Sequence, residues 1–397
     1  MRFENAYIPA GAYWSTPFCK WQGLLAPLHP VHLAADAVRK ALPARGIEVK
    51  ELDSLVFGWT IPARRIFYGG PWLAGLIGAP GITGAMISQA CATSAAALAH
   101  AAASVDAGGS AATLVVTTDK CSNGPHLYYP DPGGPGGKGE AEDWVWDNFS
   151  LDPWAQNSMI QTAENVAKEA GITREEMDAL TLRRYEQYVE GVRTGFQKRY
   201  MLLPYEVNPS GKKVVATVTE DEGVFPTTKE GLAKLRPMLP DGRVTFGSQT
   251  HPADGTAGLV VCSKERAKTW SKGAEPVRLL SYGLARVEKG FMAKAVVPAA
   301  RRALDAAGVS IKDVRVVKTH NPFAVNDIYF ARQLGIDAAG FNNYGSSLIY
   351  GHPQAPTGAR LIAEGIEEAR LKGGGHVLFA GCAAGDTAAA VVLEANG

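Results

Sequence analysis

The 397-residue chain is predicted to be an α/β protein: two related βα halves, with mixed sheets around buried helices and a long insertion between them. Three observations carry that expectation. The chain holds a long-range internal repeat, apolar strands alternate with small-residue helices, and a helical stretch interrupts the repeat.

The repeat comes first because it organises everything else. Ala37-Val-Arg-Lys-Ala-Leu-Pro-Ala-Arg-Gly-Ile-Glu-Val-Lys-Glu-Leu52 matches Ala299-Ala-Arg-Arg-Ala-Leu-Asp-Ala-Ala-Gly-Val-Ser-Ile-Lys-Asp-Val314. Arg39 pairs with Arg301, Leu42 with Leu304, Gly46 with Gly308 and Lys50 with Lys312, each pair 262 positions apart. Both copies read as an amphipathic helix, a Gly stop, a polar turn and an apolar strand, Leu55–Phe57 in one and Val314–Val317 in the other. The same offset carries Cys91 to Pro353, next to His352, and Val115-Val116 to Val377-Leu378. Two copies of turn, small-residue helix and strand imply a pseudo-twofold in which Cys91 and His352 share one cleft.

The expected division is 1–119 with 245–275 as one half, 120–244 as an inserted loop or lid, and 276–397 as the second half. The insertion opens on Pro130-Asp-Pro-Gly-Gly-Pro-Gly-Gly137 and a stretch bearing Trp144, Trp146 and Trp154. Thr162 to Gly191 reads as helical, with a capping box at Thr173-Arg-Glu-Glu176. A strand Arg243–Phe246 and a strand Gly258–Cys262 then lead back to the first half. Ile66 to Val105 has no charged residue, but eight Gly and Pro residues between 69 and 84 break it, so a buried loop, strand and core helix is expected, not a membrane span.

Lys and Arg number 40 against 39 Asp and Glu, which gives no basic stripe for nucleic acid and no acidic tail. The N-terminus lacks an apolar signal core. Five scattered cysteines, Cys19, Cys91, Cys121, Cys262 and Cys382, with no Cys-x-x-Cys spacing, fit a cytoplasmic protein without a disulfide framework or structural zinc.

Four positions could carry chemistry. Cys91 starts the Ala-rich run Ile87–Leu98, where free N–H groups and the helix dipole favour a thiolate; a small residue filling a tight helix start is the alternative. His352, in Tyr350-Gly-His-Pro-Gln-Ala-Pro-Thr-Gly358, sits in a shaped turn and is placed by the repeat to deprotonate that thiol. His320, in Thr319-His-Asn-Pro-Phe-Ala-Val-Asn-Asp327, follows a strand and either lines the cleft or caps a helix. Cys382, in Phe379-Ala-Gly-Cys-Ala-Ala-Gly-Asp386, lies among small residues that expose backbone N–H donors, or is an inert buried thiol. His251, His376, Cys19, Cys121 and Cys262 read as structural.

Taken in order, these segments resemble the thiolase superfamily along nearly the whole chain. Ser15-Thr-Pro-Phe18 resembles its Arg-Thr-Pro-Phe motif, Thr162–Asn165 with Ile172–Asp178 the start of its loop domain, and Asp254-Gly255 part of its Asn-Asp-Gly motif. A nucleophile Cys, a Gly-His-Pro turn and a C-terminal Cys–glycine loop follow in the family's order. The resemblance implies the thiolase fold and an acyltransferase that uses CoA as co-substrate, with no permanent cofactor and no metal. It implies that Cys91 takes the acyl group, His352 activates it and Cys382 moves a proton. His320 with His352, and the backbone N–H groups of Cys91 and Ala384, would form two oxyanion pockets.

The chain departs from the family pattern at several of these blocks. His320-Asn-Pro-Phe323 stands for Asn-Glu-Ala-Phe or His-Glu-Ala-Phe. Gln354-Ala-Pro-Thr stands for a Gly-Ala-Ser run, Ala384 and Asp386 replace glycines, and Ile160 stands where a Met-Gly pair is usual. These changes resemble divergent bacterial thiolases of branched or aromatic acyl-CoAs, such as the benzoylsuccinyl-CoA thiolases. That branch implies a small zinc-binding OB-fold partner subunit, and the family implies a homodimer or homotetramer. A ketosynthase-like condensing enzyme is the alternative on the same fold, disfavoured by Cys382. A non-catalytic acyl-CoA-binding subunit is the alternative of another class, disfavoured by the retained cysteines and histidines.

Overall fold

A computed structural model describes residues 1–397. The first half runs β1 (Tyr7–Ile8), β2 (Tyr13–Ser15), β3 (Cys19–Lys20), α1 (Pro30–Ala44), β4 (Ser54–Gly58), α2 (Gly69–Leu76), β5 (Met86–Ile87), α3 (Thr93–Asp106) and β6 (Ala112–Lys120). Next come the hairpin β7 (His126–Tyr129) and β8 (Glu140–Asp143), helices α4 (Trp146–Ser150), α5 (Met159–Glu169) and α6 (Arg174–Thr194), the hairpin β9 (Tyr205–Val207) and β10 (Ala216–Val218), and α7 (Lys229–Ala233). After β11 (Ala253–Cys262) and α8 (Lys264–Trp270), the second half runs β12 (Val277–Arg286), α9 (Val296–Ala307), β13 (Val314–His320), α10 (Ala324–Leu334), α11 (Ser347–Tyr350), α12 (Thr357–Leu371), β14 (Gly374–Ala383) and β15 (Thr387–Asn396).

The repeat is visible as topology. One mixed sheet has the order β13-β14-β15-β12-β1-β11-β6-β4-β5. Reading outward from its centre, β12-β15-β14-β13 mirrors β1-β11-β6-β4, and the outer pairs β4/β6 and β13/β14 are both parallel. The halves meet antiparallel at β1 and β12, with Tyr7 opposite Arg278 and Ile8 opposite Val277. The paired helices α1 and α9 stop just before Gly46 and Gly308, each at φ +69°, a left-handed turn that costs glycine little.

Helices α3 and α12 lie between the halves, and each touches strands of both. Contact with strands of both halves explains why α3 is Ala-rich: Ala95, Ala97, Ala101 and Ala102 are fully enclosed, where longer side chains would hold the layers apart. Gly358 lets α12 approach α3, because a Cβ there would stand 3.0 Å from Ser94 Cβ and 3.1 Å from the Phe379 ring.

Three local expectations need correction. Arg243–Phe246 is not a strand. The Arg243 and Val244 N–H groups donate to the Glu164 carboxylate and Thr245 N–H to Ser248 Oγ, so side chains take the donors a sheet would need. The 66–105 stretch contains the helix α2, which begins at the Gly69-Gly70-Pro71 run. Pro in a first helical turn removes no intrahelical bond. Residues 80–90 are mainly exposed or half-buried, not a buried loop. The helical stretch of the insertion is two helices, divided at Gly171 (φ +61°), and the second starts on the expected Thr173–Glu176 capping box.

Arg360 of α12 pins the segment after α6 to this core. Its fully buried guanidinium donates to both Asp221 oxygens at 2.6 and 2.8 Å and to Glu364 at 3.0 Å, beneath the Tyr350 ring. Removing one member of such a set leaves buried charge without a partner. Arg360→Met is therefore expected to cost about 3–5 kcal/mol, read as a lower urea midpoint. A loss below about 1 kcal/mol would mean the guanidinium contributes no more than an exposed pair.

Candidate active site

Cys91 precedes α3 on a tight turn. Ala90 has φ +43°, unusual for a residue with a Cβ, and Thr93 Oγ1 holds the turn by donating to Ala90 O at 2.7 Å and accepting Gln89 N–H at 2.8 Å. His352 follows α11 on a turn opened by Gly351 (φ +89°), and its backbone N–H donates to His251 O at 2.9 Å. His320 ends β13, and Cys382 lies near the end of the neighbouring β14. Chain topology thus brings one group from the first half to three from the second.

The two imidazoles stack, with centroids 4.0 Å apart and 30° between planes. Each is anchored through Nδ1, His320 to Ser347 Oγ at 2.8 Å and His352 to Thr357 Oγ1 at 2.7 Å. Both Nε2 atoms are buried without a partner. One nitrogen from each ring and Cys91 Sγ lie within 4.8 Å of one another. These three could grip an ion, but a closed structural zinc site needs a fourth ligand.

Electrostatics here are set by burial. Although Cys91 is half-buried as a residue, its thiol is packed among protein atoms, which pushes its pKa up to about 12; the N–H groups of Ala384 and Cys91 pull the other way. The helix start therefore does not make a resting thiolate, as local sequence suggested: desolvation outweighs the donors. Burial also pushes His320 down to about 3, and burial with the neighbouring ring drives His352 well below its usual value. Burial thus favours a neutral thiol beside two neutral imidazoles.

Cys382 is fully buried, accepts Asn326 Nδ2–H at 3.3 Å, and is pushed well above the ordinary thiol range, by burial first and then by Cys91. Ala384 offers its N–H to the Cys91 sulfur. Asn321 makes up for the missing acid of its block. Its amide donates to Asp327 Oδ2 (2.7 Å) and Ser346 Oγ (3.1 Å), and its oxygen accepts Leu348 N–H (3.1 Å). Asp327 is itself paired with Arg184 at 2.9 Å, both fully buried. Asn321 N–H donates to Ser347 Oγ at 3.3 Å, so Asn321 braces the Ser347 that anchors His320.

Sequence reading missed three contributors. Gln354 Oε1 accepts the Cys91 thiol at 3.1 Å. Asp119, with its pKa pushed up to about 7 by burial, accepts Thr60 N–H, Thr60 Oγ1–H, Ile61 N–H and, at 2.8 Å, Ala355 N–H. Asn326 holds Cys382 and leaves its own Oδ1 without a partner. Gln354 and Asn326 lay inside segments already singled out; only a polar residue among small ones marked them. The tryptophans stay apart from this cluster: Trp146 packs on Trp21 at 5.3 Å, Trp144 Nε1 donates to Thr60 O at 3.1 Å, and Trp154 is exposed.

The chain is similar to known proteins over most of its length. The chain is 29% identical to an acetyl-CoA acetyltransferase of Pseudomonas aeruginosa, over 88% of this chain and 89% of the relative. It is 30% identical to a β-ketothiolase of Cupriavidus necator, over 94% and 95%. The crystal structure of human mitochondrial 3-ketoacyl-CoA thiolase in complex with CoA superimposes with a TM-score of 0.91 at 26% identity, covering 100% of this chain and 99% of that one. The family model for the thiolase N-terminal domain matches residues 12–265 and that for the C-terminal domain residues 275–395, so the chain belongs to the thiolase family of acyltransferases.

Proposed function

We propose that the protein cleaves a 3-oxoacyl-CoA with CoA, or runs the reverse Claisen condensation, through an acyl-Cys91 intermediate. The observation that carries this reading is the meeting of the Cys91 sulfur with two stacked histidines whose Nε2 atoms have no protein partner. With Nδ1–H of His352 donated to Thr357, its Nε2 holds the lone pair that a base needs. The single Ser347 O–H has two acceptors in reach, His320 Nδ1 at 2.8 Å and Asn321 Oδ1 at 3.1 Å; given to the nearer His320, it leaves Nε2–H to face a substrate oxygen.

The thiol proton passes to His352 as Cys91 sulfur attacks the 3-oxo carbon. The bond between carbons 2 and 3 then breaks, and its electrons form an enolate on the departing CoA thioester. His320 and His352 stabilise that enolate oxygen, and Cys382 gives carbon 2 a proton. The N–H groups of Cys91 and Ala384 hold the oxygen of the acyl-enzyme thioester. CoA thiolate, its proton taken by Cys382, attacks the acyl carbon; the bond from that carbon to the Cys91 sulfur breaks, and the Cys91 thiolate takes its proton back from His352.

The altered blocks around the site support a branched or aromatic acyl group over a straight chain. Residues 120–244 are proposed as the lid over that group, between the half formed by 1–119 with 245–275 and the half 276–397. A homodimer or homotetramer, and a small zinc-binding OB-fold subunit as partner, complete the proposal for a cytoplasmic enzyme. Co-purification from the native host checks the subunit: the purified protein without a second polypeptide would remove it.

Intact-protein mass spectrometry with a panel of acyl-CoAs is expected to show an acyl adduct at Cys91 that Cys91→Ser abolishes. No adduct with any acyl-CoA, and no thiolysis of any 3-oxoacyl-CoA, would sink the thiolase reading. Cys382→Ala is expected to acylate normally but lose turnover by at least a hundredfold; loss of acylation itself would reassign Cys382.

The neutral resting pair makes a further prediction. With a thiol pKa of about 12, iodoacetamide alkylation of Cys91 in the free enzyme should rise roughly tenfold per pH unit from 7 to 10. A plateau between pH 6 and 8 would reveal a resting thiolate–imidazolium pair and overturn this account.

A further inference from the structure

The one side chain whose hydrogen bond ends on the nucleophile is that of Gln354, and the catalytic steps above give it nothing to do. It is 6% exposed and sits at φ +69°, a left-handed conformation that residues with a Cβ rarely adopt. The surroundings enforce that conformation. The next N–H, of Ala355, donates to Asp119 Oδ2 at 2.8 Å, Ala355 O accepts from Ser94 Oγ, and Gln354 O accepts Thr357 N–H at 3.3 Å. Asp119 in turn is held by the donors of Thr60 and Ile61. Strain kept in place by Asp119, Ser94 and Thr357 delivers an amide to the reacting sulfur.

Acylation changes what that amide meets. The S–H that Oε1 accepts is gone once Cys91 bears an acyl group. His352, which lies beside the same amide, can replace it for Oε1 after taking the thiol proton. Nε2 donates to no protein acceptor. Unlike the Nε2 atoms of His320 and His352, it is not among the enclosed atoms that lack a partner, so it borders open space in the cleft. The acyl carbon must bond to the sulfur this amide touches. Its carbonyl oxygen is taken by the Cys91 and Ala384 N–H groups, which leaves substituents on carbons 2 and 3 to face Nε2.

We propose that Gln354 is a specificity-determining residue and that the acyl group carried on Cys91 has an oxygen acceptor on carbon 2 or 3, such as a hydroxyl. The inference rests on the acyl-Cys91 reading and narrows it: a branch on the acyl group is polar. A plain alkyl group would leave a buried amide N–H unpaired, and sites built to hydrogen-bond a substrate group discriminate strongly against analogues lacking it.

The test uses matched acyl-CoAs of nearly equal size: glycolyl-CoA against propionyl-CoA, and 3-hydroxypropionyl-CoA against butyryl-CoA. Acylation rates of the full-length enzyme are read by quenched intact-mass spectrometry, alongside Gln354→Met, which keeps the length and removes the amide. The hydroxylated member of at least one pair is expected to acylate wild type tenfold or more faster, and Gln354→Met should erase or reverse that ratio. Equal rates within both pairs in wild type, a wild-type preference for the alkyl members, or a variant that slows all four alike would each overturn the proposal. Thermal melting of the variant separates that last outcome from misfolding, since a folded variant that keeps the wild-type ratio also refutes it. No adduct from any of the four, together with no thiolysis of any 3-oxoacyl-CoA, refutes the acyl-enzyme reading itself.

Discussion

Every feature of the site depends on burying two helices face to face. A helix covered by strands of both halves has little room for long side chains, so α3 is built mainly of Ala, and α12 meets it through Gly358 against Ser94. Neither helix could be covered by one sheet alone. The two-residue strand β1 joins the halves at β12 and so continues one sheet across both faces of the pair. Cys91 and His352 then approach because each precedes one of the two helices. The meeting is a property of the packing, which is why the chain offset of 262 carries Cys91 to the residue next to His352.

That enclosure sets the chemistry as well. Desolvation raises the thiol and lowers both imidazoles, so charge separation among these groups is unfavourable in every pair. A nucleophile kept neutral until substrate arrives is protected from alkylation and oxidation by small electrophiles, which attack thiolates. Activation must then be concerted with binding: the donors that receive a substrate oxygen are the same ones that make negative charge tolerable. The anchoring of each ring through Nδ1, braced for His320 by Asn321, Asp327 and Arg184, means those donors need little reorganisation.

Much of this was legible in the chain because it recurs. Repeat, helix, Gly stop and strand constrain one another, and the ordered blocks named the four groups that could do chemistry. Errors fell where distant parts of the chain decide the local outcome. Arg243–Phe246 has strand composition, but Glu164, 79 positions away from Arg243, takes its donors. The α2 helix was hidden by glycines that break an isolated helix but not one packed on α1 and β4. Helix-start stabilisation of the thiolate was a correct local effect, overruled by burial that only the assembled fold supplies.

Gln354 shows the same limit most sharply. In sequence it is one polar residue after His-Pro, and nothing local says where its side chain points. Its direction is decided by a left-handed turn whose support, Asp119, comes from the other half of the chain. An amide in that place is costly, since it is strained, buried and short of one partner. Features that fit poorly with folding alone collect where substrate must complete them. The scaffold, by contrast, satisfies its buried polar groups from within, as Asn321 does after losing the family's acid. The difference between a departure that closes its own hydrogen bonds and one that leaves them open separates structural drift from altered specificity, and in this chain Gln354 is on the open side.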